Sequence, residues 1–136
     1  MAGQPNIPGY FVFRVTNMWV GDDPDALVPA NIVPEDEPFS LNVRFTGNGP
    51  LWRIMRTLRA TYQVHFYVEG QGRKPEFNVP AVEGRLEPGQ DVYTVEANVA
   101  RGLPQPGVYK LSCDVVFARG WEGIATGRAE ATMQAY

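Results

Sequence analysis

Four stretches of the chain alternate apolar and polar side chains with a period of two. In FSLNVRFT, Phe39, Leu41, Val43 and Phe45 take one face, and Ser40, Asn42, Arg44 and Thr46 take the other. LRATYQVHFYVE sorts Leu58, Ala60, Tyr62, Val64, Phe66 and Val68 away from Thr61, Gln63, His65, Tyr67 and Glu69. VYTVEANV repeats the pattern with Tyr93, Val95, Ala97 and Val99, and GVYKLSCDVVF with Tyr109, Leu111, Cys113, Val115 and Phe117. Successive side chains of an extended chain point to opposite sides, so each stretch predicts a strand with one face in a core and one in water.

Three further segments read as strands with local faults. YFVFRVTNMWV has the β-branched and aromatic content of a strand, with Phe11, Phe13 and Val15 inward, but its alternation slips near Asn17, which predicts a bulge. EFNVPAVEGRL carries Pro80, which has no N–H to give a ladder, so it is an edge strand or two short pieces. GIATGRAEATMQAY sets Thr126, Arg128, Glu130 and Thr132 against a series of small residues, Ala125, Gly127, Ala129 and Ala131, ending at Met133. A small-residue face leaves room for large side chains opposite, such as Trp19, Trp121 or the phenylalanines. Segments rich in Gly, Pro, Asn and Asp (GDDPD, TGNGP, GQGRKP, LEPGQD, LPQPG) separate the runs where the backbone must reverse. About seven strands at this spacing predict an all-β fold, an antiparallel two-sheet sandwich forming one domain over residues 1–136.

One stretch breaks the period. In LWRIMRTLRA, Leu51, Trp52, Ile54, Met55 and Leu58 gather on one arc at helical spacing, with Arg53 and Arg56 opposite and Arg59 at the boundary. Asn48-Gly49-Pro50 offers a cap followed by proline at the first helical position, and the later arginines suit the negative end of a helix dipole. A short helix or turn over residues 50–58, carrying the chain between sheets, is therefore expected. Its arginines admit three readings. They snorkel into water beside an apolar cap on the sandwich. They join Trp52 in a protein contact, since Trp and Arg dominate interface hot spots. Or they bind nucleic acid or a membrane, for which two or three charges on one turn are few.

PEDEPFSLNVRF and LPQPGVYKLSCDVVF resemble the immunoglobulin-like and fibronectin-like β-sandwich superfamily. The first is similar to the acidic lead into the second strand. The second is similar to the penultimate strand, with Pro106-Gly107 before Tyr109 as in a tyrosine corner, whose phenol bonds back to nearby backbone. The resemblance implies the fold and no particular function. Leu111 stands where antibody domains carry a cysteine.

Charge and chemistry narrow the function classes. With a net charge of −3 in 136 residues, the chain has no general attraction for phosphate backbones or anionic lipid, so neither nucleic acid nor membrane is an expected partner. No apolar run is long enough to span a bilayer, the N-terminal residues lack the pattern of a secretory signal, and Cys113 is alone; a cytoplasmic location is expected. The acidic segment at residues 21–38 offers Asp22, Asp23, Asp25, Glu35, Asp36 and Glu37 as a weak Ca²⁺ candidate without the spacing of a Ca²⁺ loop, so neither metal nor cofactor is expected. His65 is the sole histidine and faces outward; a triad or zinc site would need partners that are not there. Cys113 faces inward as a small apolar residue.

The expected function is thus non-enzymatic: a protein-interaction or structural module, with Trp52, Arg53, Arg56 and Trp121, in the connection ARGWEGIA, as candidate contacts. Self-association is a specific form of it, through an edge strand such as the last one, unless Arg128 or Glu130 blocks the pairing. The alternative is a small-ligand binder, for carbohydrate for example, using Trp52, Trp121 and the loops at one end.

Overall fold

A computed structural model describes residues 6–7, 11–21, 32–33, 37–70, 77–99, 106–117 and 126–135. The strands are β1 (Asn6–Ile7), β2 (Phe11–Val20), β3 (Ile32–Val33), β4 (Phe39–Asn48), β5 (Thr61–Gly70), β6 (Phe77–Arg85), β7 (Val92–Val99), β8 (Gly107–Phe117) and β9 (Thr126–Ala135), with a helix α1 (Pro50–Thr57) between β4 and β5. Two sheets form, with orders β1-β2-β4-β7 and β3-β9-β8-β5-β6. All pairings are antiparallel except β3 with β9. Seven of the strands are long, and they are the seven that the hydropathy pattern predicts. The strand after β5 stays in its sheet as β6 instead of crossing over, as the additional strands of variable-type immunoglobulin domains do.

The inward faces interlock as the alternation requires. Leu41, Val43, Phe45, Val64, Phe66, Leu111, Cys113, Val115 and Phe117 are all completely buried. The expected bulge on β2 falls between Val15 and Asn17, and it restores Met18 and Val20 to the core. Pro80 lies on an edge strand, where Pro80 and Ala81 together oppose only His65 of β5. The small-residue face of β9 is filled mainly from β2: a Cβ on Gly127 would meet Val15 Cγ2 at 2.7 Å and Phe13 Cε2 at 2.9 Å. Trp19, expected as one filler of that space, is 6% exposed but stands outside the core cluster, with the Arg44 guanidinium 5.3 Å from its ring centre.

The period change at LWRIMRTLRA produces α1, starting on Pro50 with Gly49 at the cap position and no side-chain cap bond. Asn48 Oδ1 instead accepts from the N–H of Gly49 at 2.8 Å. The pattern places Leu58 on an inward face, whether of the helix or of the strand that follows. The structure corrects this, because Leu58 is the helix C-cap, bonded to Ile54 O at 2.9 Å, and 66% exposed. Arg59 then takes a left-handed φ of 53°, so the extended chain begins only at Thr61. Ile54 also leaves the arc and is 51% exposed. An eight-residue helix laid over the end of a sandwich buries a narrow line, here Trp52 and Met55; at about 100° per residue, Ile54 and Leu58 fall ~100° and ~60° beyond Met55.

Candidate contact surface at the helical pole

Trp52 is the anchor of α1, with 0% of its surface exposed. Its ring lies between the sheets, 6.1 Å from Phe13, 6.2 Å from Tyr93 and 6.3 Å from Phe117 between centroids. Gly47 on β4 lets the ring in, since a Cβ there would overlap the indole directly. The one polar atom of the indole is satisfied: Nε1 donates to Asp91 Oδ1 at 2.9 Å. Arg56 Nη1 donates to the same oxygen at 2.6 Å, with the arginine side chain 16% exposed and the aspartate 50%. Asp91 therefore ties the helix to the start of β7 with one carboxylate.

The turn leading into β7 is held as firmly. Tyr93 Oη accepts from the N–H of Glu87 at 2.7 Å and donates to Gln90 O at 3.0 Å. Tyr93 thus clasps the backbone just upstream of it at the β6–β7 connection, and Tyr109, where the resemblance implies a tyrosine of that kind, is wholly buried. Burial pushes the phenols of Tyr93 and Tyr62 above their ordinary value of 10.0. Arg59 approaches Glu87 at 3.9 Å, with both side chains about half exposed.

Arg53, Ile54, Thr57, Leu58 and Arg59 face outward at this pole, with the half-exposed Val92 at the β7 start, next to Asp91. Of the candidate contacts, Arg53 is on the surface, Arg56 is largely covered and held by Asp91, and Trp52 is in the core. Trp121 lies outside the described residues. The exposed apolar pair was hidden from the sequence because helical spacing alone assigns Ile54 and Leu58 to the buried arc. Only the narrow contact line of a two-turn helix reveals them.

The other candidates are scattered. His65 is half-buried on the outer face of β5, cross-strand from Asp114, whose carboxylate lies 3.7 Å from Arg128. Arg128 and Lys110 in turn flank Glu130 at 3.6 and 3.7 Å. Asp22, Asp23, Asp25, Glu35 and Asp36 lie outside the described residues, and Glu37 is exposed. Among the described residues no three His, Cys, Asp or Glu side chains converge as metal ligands. Cys113 is enclosed, and burial pushes its thiol from an ordinary 9.0 up to about 12. No helix among the described residues is long and apolar enough to cross a membrane.

No protein-family model matches the chain, and no curated protein matches its sequence. Solved structures do match. The CARDB domain of a Pyrococcus furiosus protein, in complex with di-metal ions, is 11% identical with a TM-score of 0.56, covering 96% of this chain and 97% of that one. An immunoglobulin-like protein from Pseudomonas aeruginosa is 14% identical with a TM-score of 0.44, covering 92% and 97%. A PapD-like domain of human CEP192 is 12% identical with a TM-score of 0.42, covering 99% and 91%. At such identities the likeness is one of fold. Two antiparallel sheets joined by Greek-key crossovers, with the order described above, make this chain an immunoglobulin-like β-sandwich.

Proposed function

We propose that this domain acts without catalysis, as a protein-interaction or structural module, and that the α1 pole is its contact surface. The observation that carries this reading is the exposure of Ile54 and Leu58, 51% and 66%, side by side on a helix that Trp52 and Asp91 hold rigidly in place. Two large apolar side chains presented on a fixed element, with Arg53 beside them, have the composition of an interface core and rim. A non-enzymatic role is further supported by what surrounds the reactive groups. The Cys113 thiol is enclosed and protonated, and His65 stands on an open sheet face.

Trp52, enclosed by the core, presents no face for stacking on a sugar, so the carbohydrate reading loses one of its two aromatics. The metal ions named for the Pyrococcus furiosus domain are said of that protein alone, since a likeness at 11% identity is one of fold. The test is capture of partners from native lysate by wild type and by an Ile54→Asp, Leu58→Asp variant. Both side chains are exposed, so the variant keeps its fold, which circular dichroism checks. Loss of specific partners is expected. An unchanged set of captured proteins overturns the reading.

A further inference from the structure

The two sheets end in strands that differ in how they are protected. β6 carries Pro80 and a bulge. β2 is paired with β1 at its start and bulged near Asn17, and β9 is paired with β3 at Gln134 and Ala135. β7 has none of these devices. It runs from Val92 to Val99 without proline, glycine or bulge, in unbroken register with β4, and among the described residues β4 is its only strand partner. A long regular edge of this kind is a template for another strand.

The ladder shows which backbone groups that edge presents. The N–H of Gly47 bonds to Asp91 O at 3.1 Å, and extending the β4–β7 register one step beyond Thr46↔Val92 sets these two residues opposite each other. Hydrogen-bonded pairs alternate in an antiparallel ladder, so Tyr93, Val95, Ala97 and Val99 also bond to β4. Val92, Thr94, Glu96 and Asn98 therefore turn their N–H and C=O groups away from the sheet. The carbonyl of Val92 confirms the parity, because it is free to accept from Gln90 Nε2 at 3.0 Å. All four side chains are exposed.

We propose that β7 is a self-pairing edge, through which a second copy of this chain joins antiparallel with the two-fold axis at Val95. In that register Val92 faces Asn98 of the other copy, and Thr94 faces Glu96. It is the one arrangement that uses all four outward residues on each side, with the Val92 carbonyl exchanging its bond from Gln90 Nε2 for one from the Asn98 N–H of the other copy. It also avoids placing Glu96 opposite Glu96, which the neighbouring register centred on Glu96 would do; like charges directly opposite are destabilising. The contact is isologous, so it closes at two copies and does not propagate. The two four-stranded sheets become one, held mainly by main-chain bonds. This surface is separate from Ile54 and Leu58, and its failure leaves the reading of the α1 pole untouched.

Sedimentation equilibrium from about 1 µM to about 1 mM protein tests it. Wild type is expected to show a monomer–dimer equilibrium in that range. Thr94→Glu, which sets a carboxylate opposite Glu96 twice over, is expected to raise the dimer Kd on the order of tenfold, and Thr94→Lys to lower it. Thr94 is exposed, so both variants keep the fold, checked by their urea midpoints. Amides of Thr94 and Glu96 gain hydrogen-exchange protection as concentration rises. Wild type that stays monomeric throughout overturns the proposal. So does a dimer whose Kd is the same in both variants, or one weakened by lysine as well as by glutamate.

Discussion

Replacing Asp91 by alanine removes one carboxylate and orphans two donors. Trp52 Nε1 donates to it from an indole with no exposed surface of its own, and this direct acceptor is lost with the side chain. A buried donor left unmade costs about 1–3 kcal/mol. Arg56, 16% exposed, loses its counter-charge, but Asp91 is half exposed and its charge is screened, which holds that contribution to about 1 kcal/mol. Asp91→Ala is thus expected to destabilise the domain by about 2–4 kcal/mol, a large share of the roughly 5–15 kcal/mol by which domains are stable.

Equilibrium urea unfolding followed by tryptophan fluorescence measures this, with the m-value unchanged if the native state keeps its compactness. Asp91→Asn retains an oxygen that can accept from the indole and loses only the charge, so about 1 kcal/mol is expected. A double-mutant cycle isolates the indole bond. In a Trp52→Phe background there is no N–H to orphan, and the cost of Asp91→Ala should fall by about 1–3 kcal/mol. A loss under about 0.5 kcal/mol for Asp91→Ala, or one undiminished in the phenylalanine background, refutes the account of α1 docking.

Two other expectations follow from packing and burial. Gly47→Ala drives a Cβ into the Trp52 ring and should cost 3 kcal/mol or more (order of magnitude ~3), whereas Gly89→Ala, at a φ of 85° with nothing within 4 Å, should cost only about 1 kcal/mol for the left-handed backbone; thermal unfolding of both compares them. Stability should fall as pH rises above about 9: the unfolded chain releases the proton of Cys113 near 9.0 and those of Tyr62 and Tyr93 near 10.0, while burial keeps all three protonated to higher pH in the fold. The urea midpoint should be level from about pH 7 to about pH 8.5 and then drop by about pH 10.5; a flat profile refutes the sign.

The parts of the fold legible in the sequence are those governed by one short-range rule. Clean alternation located four of the seven long strands, each with one wet face, and composition with interrupted patterns located the other three, where the slip at Asn17 marked a bulge and the proline at position 80 an edge. Less legible were features set by partners distant in the chain. Asp91 looks like a turn residue until β4 and α1 bring Trp52 and Arg56 to it, 39 and 35 positions away. Gly47 reads as part of a turn, yet it sits inside β4 and exists as glycine because an indole occupies the space of its side chain. The two-residue strands β1 and β3 carry too few residues for a period to show. Trp52, prominent in the sequence as a contact residue, is the clearest case: composition marks a tryptophan as capable of binding, and only packing decides that its partner is its own core.

The same distinction bears on the arginine-rich stretch. Three arginines in seven positions of a net-negative chain suggest an anionic target, but two are engaged within the fold. Arg56 shares the Asp91 oxygen with Trp52, and Arg59, held at a left-handed φ, lies 3.9 Å from Glu87. A phosphate arriving at this pole would meet one uncommitted guanidinium, Arg53, and two carboxylates. Nucleic-acid binding draws on many simultaneous phosphate contacts, and one cation gives little of that. The apolar pair alters the balance in the other direction. Ile54 and Leu58 keep roughly half to two thirds of their surface in water, and an interface that covers them gains from apolar burial while Arg53 sets orientation at the rim. Under the proposed reading, the partner of α1 is therefore a protein surface with an apolar depression and a single acidic neighbour.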